Sequence, residues 1–129
     1  MVDTSKCACG SAKSYDDCCK PLHQGLRVAS TAEELMRSRY TAYVKKLKDY
    51  LLSTWHHSQQ TEMDDLSFEQ GLRWTGLKII KTKAGQEVDT TGEVEFVASY
   101  TYHNKHEQLE EHSHFIKEDG RWFYAGTID

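Results

Sequence analysis

Four cysteines stand within thirteen residues, in "CACGSAKSYDDCC" from Cys7 to Cys19, and the rest of the 129-residue chain has none. The spacing is Cys-x-Cys, eight residues, Cys-Cys. Four thiolates suit one tetrahedral zinc ion, with bonds of about 2.3 Å and sulfur–sulfur separations of about 3.8 Å. Gly10 follows Cys9 and can take positive φ without steric cost, so the chain can turn and bring Cys7 and Cys9 to one ion. Cys18 and Cys19 are adjacent and reach the same ion at the end of a helical turn. Lys6, Lys13 and Lys20 offset the negative charge of a thiolate cluster. With every position filled by protein, the site has the closed pattern of a structural metal. Asp16 and Asp17 are then solvated rather than ligating. Iron in place of zinc, a pair of disulfides and a redox role remain alternatives. Inert burial does not, because nothing in "KCACGSAKSYDDCCK" has the periodicity of a core segment.

A second group of residues points to a cavity. Arg39 lies about forty degrees from Leu35 and Tyr43 around a helix, on the apolar side and away from Arg37 and Lys45. An arginine facing a core needs an anionic or hydrogen-bonding partner. Strand alternation puts Glu111 with Leu109, Ser113 and Phe115, so an Arg39–Glu111 ion pair is expected, orienting helix on sheet or anchoring a ligand. Among the seven histidines, His56 follows Trp55 at the end of a predicted helix. It is the candidate general base, with Tyr43 or Tyr100 as hydrogen-bond donor. His112 and His114 share the opposite strand face from Glu111 and read as surface. No Ser-His-Asp or Cys-His arrangement, phosphate loop or glycine fingerprint is present.

The elements that position these residues follow from the pattern. Pro21, the only proline, opens a short linker "KPLHQG". In "STAEELMRSRYTAYVKKL", Ser30 or Thr31 can cap a helix with Glu33 and Glu34 in its first turn. Leu35, Met36, Tyr40, Tyr43, Val44 and Leu47 form its apolar stripe. "KDYLLSTWHH" predicts a second helix, and "DDLSFEQGLRW" a third helical turn anchored by Leu66, Phe68, Leu72 and Trp74. After Gly76 the period changes to two. "LKIIKTK", "GEVEFVASYTY", "QLEEHSHFIK" and "RWFYAGTI" predict four strands, with a turn at "EDG". Helices first and an antiparallel meander after them make an α+β architecture.

Composition narrows the functional classes. Sixteen basic residues face twenty acidic ones, for a formal charge of −4. No basic run appears, which argues against nucleic acid. No apolar stretch is long enough to span a membrane, and "MVDTSKCACG" has no signal-peptide core. The cytoplasm, where thiols stay reduced, is the expected compartment.

The cysteine segment resembles a SEC-C motif, the small zinc module at the tail of the SecA translocation motor. Cys7, Cys9, Gly10, Ser11, Lys13, Cys18 and Cys19 match its pattern. Ala8 stands where proline is frequent, and Ala12 where a second glycine is frequent. "LMRSRYTAYV", "YLLSTWH", "GEVEFVASYTY" and "GRWFYAG" resemble the YchJ family, in which a SEC-C motif precedes a nuclear transport factor 2-like domain. The resemblance implies a SEC-C unit over residues 1–24 and a cone-shaped α+β domain over 25–129, a sheet curved around helices. Deletion of the first unit is expected to leave the second folded. With no cysteine past residue 19, one metal module is expected. In SecA the module binds a partner, the SecB chaperone. By resemblance the leading expectation is a protein-interaction module, chaperone- or secretion-linked, in which the knuckle meets another protein. Two alternatives stand beside it: a small-molecule binder or lyase- or isomerase-like enzyme using Arg39, Tyr43, Trp55, His56 and Glu111, and a metal-handling protein exchanging zinc or iron. The residues favour a non-enzymatic role over catalysis.

Overall fold

The structure, a computed structural model, describes residues 6–59 and 71–128. Helices come first and a four-stranded antiparallel sheet follows. A 3-10 helix, Tyr15–Asp17, leads into α1 (Lys20–His23), α2 (Ala32–Lys45) and α3 (Lys48–Ser53). The strands β1 (Leu72–Ala84), β2 (Thr91–Tyr102), β3 (Lys105–Glu118) and β4 (Arg121–Thr127) pair in chain order.

α2 starts where the sequence places its caps. The Thr31 hydroxyl accepts from Glu34 N at 3.1 Å, and the Glu34 carboxylate accepts from Ser30 N at 2.7 Å. These two bonds satisfy backbone donors that the first turn leaves open. α2 ends at Lys46, whose φ of 60 is left-handed. Leu35, Met36, Arg39 and Tyr40 are buried toward the sheet, and Ser38, Thr41 and Ala42 are buried as well. The helix is therefore covered on more than one side.

β2 alternates as its sequence does. Val94, Phe96 and Ala98 are buried, while Glu93, Glu95 and Val97 on the other face are half-buried. The register pairs Phe96 with Glu111 and Val94 with Ser113, so Glu111 and Ser113 share the concave face with Phe96. Bulges in β1 at Trp74/Gly76 and Ile79/Lys81 add the local twist that curves the sheet. His103–Asn104 and Asp119–Gly120, all at positive φ, make the two tight hairpin turns. At the opposite end Gly92 has no room for a side chain: a Cβ there would lie 2.5 Å from Gly85 Cα. Gly85 O in turn accepts from Ala32 N at 2.9 Å and pins the start of α2 to the sheet.

Three local expectations are corrected. The segment around Pro21 is helix α1, with proline in the first turn, where its missing N–H costs nothing. Leu72 and Trp74 belong to β1 rather than to a third helical turn, because their alternation with exposed Arg73 and Thr75 has period two; Leu66 and Phe68 lie outside the described residues. The second helix stops at Ser53, and Trp55 instead forms a parallel bridge to Tyr124. Among the described residues no helix is long and apolar enough to cross a membrane.

Candidate metal centre and cavity

The N-terminal segment forms a knuckle held by its own backbone. Cys7 N donates to Lys13 O at 2.7 Å and Gly10 N to Cys7 O at 3.2 Å. Gly10 takes a φ of 82, and Ala12 a φ of 73. The second is the position where the SEC-C pattern favours glycine, so alanine here carries a backbone penalty. Ser14 caps the 3-10 helix by accepting from Asp17 N. Cys18 ends that helix and Cys19 begins α1. The break in backbone direction between them lets two adjacent side chains converge.

All four Sγ atoms lie within 4.8 Å of one another. Cys9 and Cys18 are 3.6 Å apart, and Cys18 and Cys19 3.9 Å. These separations bracket the roughly 3.8 Å of a tetrahedral thiolate site and are far beyond the ~2.05 Å of a disulfide. Cys7, Cys9 and Cys19 are buried and Cys18 is half-buried. Within the cluster, hydrogen bonds from Cys19 and Cys9 pull the Cys7 thiol down, while its bonds to Cys7 and Cys9, together with burial, push Cys19 up. Four sulfurs this close cannot all be thiolates without a cation between them. The donor set thus fits a metal ion.

The knuckle packs on α2. The Thr41 hydroxyl lies 3.5 Å from Cys7 Sγ and 3.4 Å from Cys19 Sγ, and the Ser11 hydroxyl 3.1 Å from Cys18 Sγ. Such hydroxyls orient metal-bound sulfur and disperse its charge. Arg37 donates to Cys9 O at 2.6 Å and is braced by Glu33 at 3.0 Å. Helical phase had separated Arg37 from the apolar stripe; it faces the knuckle instead of open solvent. His23 joins the same seam: its Nε2–H donates to Ser38 O at 2.8 Å, which leaves Nδ1 to accept from Tyr15 Oη at 2.9 Å. Burial pushes its pKa down.

On the other side of α2 a cavity of about 240 Å³ opens between helix and sheet. Arg39, Tyr43, Trp55 and Glu111 all line it, as the sequence suggested, but His56 does not. Trp55 and His56 are consecutive in extended backbone, so their side chains point to opposite sides. Trp55 enters the cavity, while His56 is buried outside it, with Nε2 2.6 Å from Glu118 Oε2. A base for cavity chemistry is thereby removed from the cavity. The His56 hydrogen bond holds the Glu118 carboxyl below its ordinary range.

The expected Arg39–Glu111 ion pair does not form. Arg39, buried to 3 % exposure, donates from Nη1 to Leu51 O at 2.8 Å and to Thr54 Oγ1 at 2.6 Å. Its guanidinium Cζ lies 5.2 and 4.7 Å from the ring centroids of Trp55 and Tyr124, which themselves meet edge to face at 5.5 Å. Carbonyl, hydroxyl and two π faces do what a carboxylate was expected to do. Glu111 Oε2 accepts instead from the Ser113 hydroxyl at 2.8 Å. Burial pushes the Tyr43 phenol up, opposed by the nearby Arg39 charge, and pushes Tyr40 up to about 12. Tyr124 was missed by the sequence reading, although alternation with buried Trp122 places it on the inner face; Thr54 carried no signal, since its role depends on where α3 ends.

A cysteine knuckle fused to helices on a curved antiparallel sheet defines a SEC-C protein with a nuclear transport factor 2-like body. The family model described as YchJ, middle NTF2-like domain, matches residues 31–127. The chain belongs to the YchJ family. It is 46 % identical over 124 residues to a UPF0225 protein of Streptomyces coelicolor, covering 96 % of this chain and 95 % of that one. It is 44 % identical over 123 residues to a UPF0225 protein of Chromobacterium violaceum, covering 95 % and 91 %. The solution structure of a SEC-C motif protein from Rhodopseudomonas palustris superposes with a TM-score of 0.83 at 32 % identity, over 95 % of this chain and 98 % of the other. A SEC-C motif protein from Psychrobacter arcticus superposes at 0.75 with 25 % identity, over 99 % and 85 %.

Proposed function

We propose that this chain is a small-molecule-binding protein whose cavity wall, α2, is stapled by a zinc knuckle. The observation that carries the reading is the cavity: about 240 Å³, with the charged side chains Arg39 and Glu111 turned inward among aromatic walls. A purely structural core would fill that space or leave it apolar. Zinc is the metal that four cysteine sulfurs converging to within 4.8 Å of one another suit best. When bound it supplies a tetrahedral cross-link and no open coordination position. The role of this chain's own residues is to hold the link against α2 through Thr41 and Arg37, and so to fix Met36, Arg39, Tyr40 and Tyr43 on the cavity side. Unpaired thiols fit a reducing compartment, the cytoplasm. Residues 1–24 serve as the staple and 25–129 as the binding body. Binding is put ahead of catalysis because His56, the candidate base, does not line the cavity. The test is titration of the metal-loaded protein with small apolar probes, followed by the indole signals of Trp55 and Trp74. Saturable shifts support the reading; a cavity that takes no probe overturns it.

A second reading keeps the knuckle as a docking surface for another protein. It is favoured by Leu26 and Val28, 75 % and 47 % exposed just past α1. Replacing both by serine would abolish partner binding under that reading and leave the cavity untouched.

A further inference from the structure

Arg39 and Glu111 line one cavity and do not meet. Each is held aside by its own partner, Arg39 by Leu51 O and Thr54, and Glu111 by Ser113. Opposite charges removed from water ordinarily resolve the cost by joining in a bidentate pair. Here the end of α3 fixes one and a β3 neighbour fixes the other, so two charged groups face a largely apolar space uncompensated by each other. Arg39 Nη1 donates to Leu51 O and Thr54 Oγ1, and the T-shaped Trp55–Tyr124 pair packs against the guanidinium. The Tyr43 hydroxyl takes one further hydrogen bond from the guanidinium, and the donors of the fork that are left face the cavity that Arg39 lines. The indole N–H of Trp55 is also buried, with no partner among the described residues. Met36, Trp74, Phe96 and Leu109 give the other walls an apolar surface, and the hydroxyls of Tyr40 and Ser113, which also line the cavity, are engaged by the Gly76 backbone and Glu111. The volume, about 240 Å³, lies below the roughly 300–1,000 Å³ of sites for drug-sized ligands and suits a molecule the size of one amino acid.

We propose that the cavity takes a small zwitterion, a free apolar α-amino acid, with its carboxylate at Arg39, its ammonium at Glu111 and its side chain against Met36, Trp74 and Phe96. The proposal rests on the cavity-binding reading and names its ligand class. Two fixed charges of opposite sign select for a molecule carrying both. An acid without the amino group brings a second carboxylate next to Glu111, and an amine without the carboxylate leaves Arg39 unmet and adds a like charge. The aromatic walls exclude a polar side chain by leaving its groups unpaired.

Calorimetric titration of the intact, metal-loaded chain tests this with four probes: leucine, its des-amino analogue isocaproate, its decarboxylated analogue isoamylamine, and toluene. Leucine is expected to bind at least about tenfold more tightly than either single-charge analogue. Glu111→Gln removes the partner of the ammonium, so isocaproate is expected to bind that variant at least as tightly as leucine does. Isocaproate matching leucine in the wild type, or toluene binding where leucine does not, overturns the zwitterion assignment and leaves the cavity reading standing. Failure of all four probes, toluene included, overturns both. Leucine keeping its preference over isocaproate in Glu111→Gln also overturns the assignment.

Discussion

The two faces of α2 differ in how their polar groups are satisfied. On the knuckle face, Thr41 and Arg37 meet a cluster whose four members come from thirteen consecutive residues. On the cavity face, Arg39 meets groups from α3, from the Trp55 segment and from β4. The first is closed once a metal is present. The second keeps a charge without a countercharge. A local cluster can be completed by one ion, whereas a site gathered from distant segments is completed by whatever enters the space between them.

The largest effect expected from breaking the comparison lies on the knuckle. Cys9→Ser removes one thiolate from a site whose metal would hold several buried sulfurs together. Structural zinc contributes about 10–16 kcal/mol of binding free energy in small zinc-finger peptides. The variant is therefore expected to lose its metal and to fall in stability by more than the about 2–5 kcal/mol of an ordinary core truncation. Denaturant unfolding with metal analysis measures both.

On the cavity face the expected effects are smaller and unequal. Arg39→Ala removes hydrogen bonds to Leu51 O and Thr54 and the cation–π contacts with Trp55 and Tyr124, at about 3 kcal/mol. Glu111→Gln keeps the Ser113 contact and is expected to cost less than about 1 kcal/mol. A buried ion pair would make the two losses similar, at about 3–5 kcal/mol from either side. Thermal unfolding of the two variants separates these outcomes.

What was legible in the sequence divides along the same line. The convergence of the four cysteines could be read from spacing alone, because the chain geometry that brings them together is local. The inward direction of Arg39 and Glu111 was also legible, since helical phase and strand alternation are local properties. Their failure to pair was not. It depends on where α3 stops, which brings the Leu51 carbonyl and the Thr54 hydroxyl to the guanidinium. Likewise His56 reads as a cavity residue until Trp55 is known to bridge to Tyr124 in extended backbone. Arg37 was misplaced because α2 is covered by the knuckle as well as by the sheet, so lying off the apolar stripe did not put it in solvent.

At the seam between the two regions, His23 gives a pH dependence. Burial lowers its folded pKa, and both ring nitrogens are already engaged. The unfolded chain therefore takes up the proton first. Stability is full above the unfolded value of about 6.5 and falls as pH drops below it toward the lower folded value. Denaturant midpoints measured between those limits should fall less steeply in His23→Gln than in the wild type; equal slopes would remove His23 from the account.

The smallest effect is a gain. Ala12→Gly relieves the positive φ in the knuckle and is expected to stabilise by about 0.5–1 kcal/mol, read as a higher midpoint of metal-loaded unfolding. No gain would show that the turn relaxes without glycine.

The central claim is that the knuckle holds the cavity through α2. Hydrogen exchange on the intact chain, with metal and after chelation, tests it most directly. The account predicts that chelation speeds exchange along α2 from Ser38 to Tyr43, with the amides of β2 and β3 staying protected and toluene binding lost. Unchanged protection of α2, with toluene still bound by the metal-free chain, would contradict it.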